Sequence, residues 1–387
     1  MKVKLEDVCE RGTSNLKQSD IAKTSGDYPI YGASGYIGNT NFYHQEKPYV
    51  AVVKDGAGVG RAALYPANSS VIGTMQYLLP KDNVLPKYLF YVVSYMHLEK
   101  YFTGATIPHI YFKDYKNEEF NLDLLERQAE IVEILEKCEK IIEKRKQEIQ
   151  LLDQLIKARF VEMFGNPVLN DKGWEQKSLG EITTKIGSGA TPKGGKEAYQ
   201  EEGITLIRSM NVHNGQFEYK DLAHISDEQA SKLDNVTIEE DDVLLNITGA
   251  SVARSCVVPN EILPARVNQH VCIIRCKDCI IPEFLNKLLI DDNYQDLLWS
   301  IAGSGATRES ITKQQVENLQ IILPMLELQK EFMAFCHQVT KSKFVERFLE
   351  LSLFFKAYSL LDSEMICIFP YLCPYAESAR EIREIFS

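Results

Sequence analysis

Several stretches of this chain carry residues that could do chemistry. Lys54-Asp55-Gly56-Ala57-Gly58-Val59-Gly60-Arg61 has the glycines and basic ends of a phosphate-cradling loop, because glycine lets backbone N–H groups close on an anion. Cys276-Lys277-Asp278-Cys279, with His270 and Cys272 nearby, supplies half the ligands of a zinc site. Polar clusters fall where loops are expected: Gly187 to Lys196, Arg208-Ser209-Met210-Asn211, and Gly303-Ser304-Gly305-Ala306-Thr307-Arg308. Their glycines admit a close partner, and their Ser, Thr, Lys, Arg and Asn side chains suit phosphate and base-edge hydrogen bonds.

The chain tests the first two ideas against a copy of itself. Residues 49 to 66 align without a gap on 242 to 259, so that Val50 meets Val243, Gly56 meets Gly249, Ala57 meets Ala250, Arg61 meets Arg254 and Pro66 meets Pro259. The second copy has Ser251 and Ala253 where the first has glycine, and no G-x-x-x-x-G-K-[ST] occurs, which argues against a nucleotide site. What both keep is a basic residue after a tight turn, suited equally to a DNA contact and to a solvated hairpin. The cysteines have no second pair at ligand spacing and no counterpart in the first copy, and Val271-Cys272-Ile273-Ile274-Arg275 alternates like a strand; no metal is expected. Gly-x-Ser-x-Gly and His-Glu-x-x-His are absent. Asn166-Pro167-Val168 shares its start with the Asn-Pro-Pro-Tyr of adenine methyltransferases but lacks the second proline and the aromatic, and reads as a helix cap.

These loops are held by a repeated scaffold. Gly104-Ala105-Thr106 aligns with Gly305-Ala306-Thr307, and at the same offset Ile110, Asn117, Leu122, Leu125-Glu126, Gln128 and Glu130 meet Ile311, Asn318, Leu323, Leu326-Glu327, Gln329 and Glu331. Between the copies, Leu135, Ile142, Ile149, Ile156 and Met163 recur every seven residues with Leu152 at a half-step, the pattern of a coiled-coil helix. At 1.5 Å per residue that helix would run roughly 60 Å. Phe332, Phe335 and Val339 give a second helix an apolar face, and two such stripes bury most economically against each other, antiparallel. The expected fold is α+β: two duplicated mixed α/β domains separated by two long helices forming an antiparallel coiled coil. The expected boundaries are 1–121 for the first domain, 122–164 for the spacer helix, 165–322 for the second domain, 323–353 for the second helix and 354–387 for an atypical tail.

The 387 residues suffice for two domains, and a net charge of −11 argues against coating nucleic acid by bulk charge. The nine scattered cysteines and the charged start fit a cytoplasmic protein, and no apolar run is long enough for a membrane span.

The duplicated plan, Leu-Asp-Leu-Leu-Glu-Arg-Gln at 122 to 128 with Leu-Pro-Met-Leu-Glu-Leu-Gln at 323 to 329, Met163-Phe164-Gly165-Asn166-Pro167 leading to Gly173-Trp174, and the Gly-Ala-Thr pair resemble the specificity subunits of type I restriction-modification enzymes. The resemblance covers roughly residues 3 to 350. It implies two target-recognition domains reading the halves of a split double-stranded DNA sequence, two modification subunits docked on the helices, and restriction subunits completing the nuclease. It places S-adenosylmethionine, ATP and Mg in those partners, with no cofactor and no catalysis in this chain. Candidate DNA contacts are Lys54, Arg61, Thr106, Thr191, Lys193, Arg208, Asn211, Arg254, Thr307 and Arg308; candidate coiled-coil and partner contacts are Leu135, Ile142, Ile149, Leu152, Ile156, Phe332, Phe335 and Val339. The rival readings are a self-contained DNA methyltransferase or nuclease, and a coiled-coil adaptor that never touches DNA.

Overall fold

The computed structural model describes residues 1–21, 25–104, 108–191, 195, 199–303 and 309–360. It forms two compact units, one of Met1–Glu148 together with the described residues from Val345 on and one of Ile149–Phe344, so one division falls inside the spacer helix and the other inside the second long helix.

In the first unit, β2 (Cys9–Thr13), β5 (Tyr49–Val53), β6 (Ala62–Tyr65) and β8 (Met75–Pro80) make a four-stranded sheet in the order β2-β8-β5-β6. A second sheet has the order β4-β3-β7, from β3 (Tyr28–Gly32), β4 (Gly35–Thr40) and β7 (Ser70–Val71), with β3 and β7 parallel. β1 (Lys2–Lys4) and β9 (Glu119–Asn121) pair separately. The apolar run of β5 is continuous because both faces are covered: Val50 and Val52 enter one core, Tyr49, Ala51 and Val53 the other.

The second unit repeats this plan. The order β11-β19-β16-β17 comes from β11 (Thr183–Ser188), β16 (Val243–Asn246), β17 (Ser255–Val257) and β19 (Val271–Cys276), and β15-β12-β18 from β12 (Ile204–Ile207), β15 (Ala223–Ile225) and β18 (Ala265–Val267). β12 and β18 are again parallel, and Gln176–Ser178 pairs with Gln320–Ile322 as β1 pairs with β9. Val243 and Leu245 face one core while Leu244 faces the other. The fold is α+β, as expected from the sequence.

A long helix follows each set of sheets, Leu125–Phe164 and Leu326–Leu360, and each is divided between the two units. The second continues past residue 353, where its end was expected; residues 361–387 of the tail lie outside the described residues. Two buried glutamines tie the helices to their units. The Gln128 amide donates to the carbonyls of Asn83 (3.0 Å) and Asp123 (2.8 Å) and accepts from the Leu85 N–H (2.8 Å). Gln329 does the same with Cys279 (3.2 Å), Pro324 (2.8 Å) and the Ile281 N–H (2.9 Å). Leu85 and Ile281 precede the shorter helices Pro86–Tyr95 and Pro282–Leu289, each opening on a proline whose missing N–H would have had no partner there.

The spacer helix buries its two halves in different cores. Leu135, expected on the coiled-coil seam, packs with Ile131 into the first unit's own core beside Leu89 and Val92, because the helix leaves the domain along its surface. Ile142 is buried and Ile149 half-buried. In the second unit, Ile156, Phe160 and Phe164 meet Phe332, Met333, Cys336 and Val339 in one core, with Leu152 and Phe335 packed against it. Phe160 and Phe164 outrank Met163 in burial because a 3.6-residue helix drifts off a seven-residue repeat. Ring centroids of Phe160 and Phe332 lie 5.6 Å apart. Arg159 reaches Glu331 at 3.0 Å and Lys343 pairs with Asp153, so the helices run antiparallel in this stretch. Gly165, at φ +75°, and Asn166, which accepts from the Val168 and Leu169 N–H groups, end the helix. No helix among the described residues is long and apolar enough to cross a membrane.

Gln329→Ala leaves Ile281, Cys279 and Pro324 with unpaired backbone groups and should lower unfolding stability by about 2 to 4 kcal/mol. Lys330→Ala on the exposed face should stay within about 0.5 kcal/mol. Denaturant titration of the two variants checks the difference.

Candidate nucleic-acid interface

Each unit carries the same edge, built the same way. After β5 the chain turns at Gly56, whose N–H donates to Pro108 (2.9 Å), while Asp55 bridges His109 and Lys54 accepts from the Ile110 N–H (2.9 Å). After β16 the Gly249 N–H donates to Glu309 (2.9 Å), Thr248 bridges Ser310, and Ile247 accepts from Ile311 (2.8 Å). The segment flanking each Gly-Ala-Thr sequence is thus pinned to the glycine turn. Gly56 and Gly249 have φ of +86° and +75°, the left-handed region that glycine enters without penalty.

The two edges differ in how their arginines are used. Arg61 folds back over its own loop, donating to Gly58 (3.3 Å) and Ala33 (3.1 Å) carbonyls, and its guanidinium lies directly against Gly58. Arg254 has no hydrogen-bond or ion-pair partner for its side chain among the described residues and lines an open cleft of about 320 Å³ with Ser209, Thr248, Ser251 and His270. Ala253, before it, keeps φ at +71° where Gly60 has +89°, a strain of about 1 to 2 kcal/mol accepted next to the cleft.

Thr191, Gln269, His270 and Thr248 form a hydrogen-bonded row beside Arg254, with Gln269 reaching His270 at 3.1 Å. Thr191 was expected from sequence; Gln269 was not, and His270 stood out only for its nearness to cysteines. Their signal is the polar run Asn268-Gln269-His270 between the strands β18 and β19. Such a row offers the mixed donors and acceptors that base edges and phosphates require.

Other expected contacts are placed differently. Asn211 is completely buried. Its amide donates to Glu218 (3.0 Å) and Lys220 (3.2 Å) and accepts from the Arg208 N–H (3.1 Å), which corrects its assignment as a DNA contact: every group is spent holding its turn. Arg208 stacks over Tyr199, 5.4 Å from the ring centre, and donates to the Asp221 carbonyl, leaving only part of its fork exposed. Lys54 is paired with Asp55 at 2.6 Å. Thr106, Lys193, Thr307 and Arg308 lie outside the described residues.

Cys272 and Cys276 are strand residues, whereas Cys279 is exposed in the turn that follows. Burial pushes the thiols of Cys272 and Cys276 up to about 12, which keeps them protonated and poor as ligands at neutral pH. Among the described residues no group of three or more His, Cys, Asp or Glu is placed to hold a metal. Within the acidic run, Asp242 is buried and gripped by Arg275 through two contacts of 2.8 Å, and that hydrogen bonding raises the arginine's pKa.

Comparison with known proteins agrees with the duplication. The family model for the type I restriction modification DNA specificity domain matches residues 1–152 and again 171–347. The chain is 25% identical over 278 residues to the type I restriction enzyme MjaIX specificity subunit of Methanocaldococcus jannaschii, covering 66% of this chain and 62% of that protein. It is 22% identical over 338 residues to the putative MjaX specificity subunit of the same organism, covering 82% and 72%. In fold it is similar to the type I restriction-modification S subunit from M. genitalium, with a TM-score of 0.58 at 15% identity over 96% of both chains. A chain from a structure describing complex assembly and conformational transition of the type I R-M system gives 0.57 at 17% identity over 97% of both. With its two matched copies spanning most of its length, this chain belongs to the type I restriction modification DNA specificity domain family.

Proposed function

We propose that this chain is the DNA-reading subunit of a type I restriction-modification enzyme, each unit reading one half of a split double-stranded target. What supports the reading above all is the polar, glycine-turned edge repeated in both units, with Arg254 open on one of them. A single unpaired guanidinium amid hydroxyls and a histidine suits base-edge recognition, in which arginine is the commonest partner of guanine. The long helices fix the distance between half-sites and carry two modification subunits; restriction subunits complete the cytoplasmic complex. Methyl transfer and cutting, with S-adenosylmethionine, ATP and Mg, belong to those partners. Calorimetric binding of S-adenosylmethionine by the isolated chain would overturn this division of labour.

Arg254→Ala should weaken binding of the assembled complex to its target duplex by about 1 to 3 kcal/mol and spare a random duplex. Gel shifts on both measure this, and an equal loss on each would assign Arg254 to phosphate instead. Inserting four residues after Gln150 lengthens the spacer helix by about 6 Å. That is roughly two base pairs at 3.4 Å each, with the apolar stripe nearly in phase. Methylome mapping should then find unchanged half-sites two pairs further apart and modified less efficiently, since the second turns by about 70°. An unchanged spacer would show that the helix is not the ruler.

A further inference from the structure

The duplication supplies an internal control at residue 111. Thr312, its counterpart, caps the helix Lys313–Glu317: its hydroxyl accepts from the Gln315 N–H at 3.2 Å, and Gln315 returns the bond to the Thr312 N–H at 2.8 Å. Tyr111 holds the same position before the helix Phe112–Tyr115 and makes no side-chain cap. Tyrosine has no reach to cap a helix, so local stability gives this position no reason to prefer it over threonine. The ring is instead 49% exposed. It sits edge-on to His109, 5.0 Å between centroids, and His109 is pinned to the glycine-turn edge through Asp55. The exposed Lys113 holds its ammonium 5.3 Å from the centre of the Tyr111 ring and pairs with no carboxylate among the described residues.

We propose that Tyr111 and Lys113 form a phosphate-contacting pair that seats the first unit on the DNA backbone beside its half-site; this rests on the DNA-reading function argued above. Phenol and ammonium are single-point donors. Neither has the planar two-pronged geometry that separates one base edge from another, so the pair positions the duplex and leaves sequence discrimination to other groups. Arg61 is committed to carbonyls and Lys54 to Asp55, which leaves Lys113 as the open cation near this edge among the described residues.

The test is anisotropy of the complex assembled from the full-length chain and its modification subunits, on a labelled random duplex and on its target duplex, across a salt series. Lys113→Ala should weaken both by the same factor and reduce the slope of log K against log salt by about one. Tyr111→Thr should weaken both about two- to tenfold. Its thermal midpoint should not fall, because threonine can cap the helix as Thr312 does, so a binding loss cannot be ascribed to unfolding. If the parent binds and both variants match it, or if their losses are confined to the target duplex, the pair is not a backbone contact. A parent that binds neither duplex would overturn the DNA-reading function itself, and this contact with it.

Discussion

A buried carboxamide governs the geometry of each unit. Gln128 and Gln329 each join three segments: the loop before a short helix, the turn before a long helix, and the long helix itself. Only a group with two donors and an acceptor on a flexible stem satisfies all three sites; glutamate would lack the donors and bring a charge into a closed site. The amide acts together with apolar packing, as Ile131 and Leu135 beside Leu89 and Val92 show in the first unit.

From that joint the sheets run outward to an edge where the copies diverge. The backbone pairing of the glycine turns is the same, down to matching bonds at Gly56 and Gly249, whereas the side chains on it are not. Arg61 is folded onto carbonyls and Arg254 is open; Tyr111 leaves a helix uncapped where Thr312 caps one. Under the proposed function, one frame carrying different chemistry would suit a target whose halves differ in sequence.

The chain's negative charge is a net value that already counts every Lys and Arg, so it remains when its internal ion pairs have formed. Asp242 is buried under Arg275, and the spacer helix pairs Glu133, Glu148 and Glu162 with Lys137, Arg145 and Arg159 at helical spacing. Such exposed pairs contribute little stability each, and their own fields are short-ranged in physiological salt. DNA would therefore be met by individual open cations rather than by a basic face.

The sequence by itself determined the duplication, the long helices, the cap at Asn166 and the α+β class, because glycine turns, apolar periods and the Leu-x-x-Leu-Glu-x-Gln signature are local properties of residue order. It also located the glycine turns of the edge and the two arginines that follow them. Only the tertiary structure decided which polar groups remain available there. Asn211 looks like a base reader by type, yet carbonyls of Glu218 and Lys220 consume its amide; Arg61 and Arg254 occupy matching positions, yet Ala33 takes up only the first. Leu135 lies on the heptad and still belongs to its domain's core, as the neighbouring side chains there require. A residue's type fixes what it can bond. Whether that capacity is spent inside the protein depends on segments distant in the chain, and those meet only once the sheets have formed.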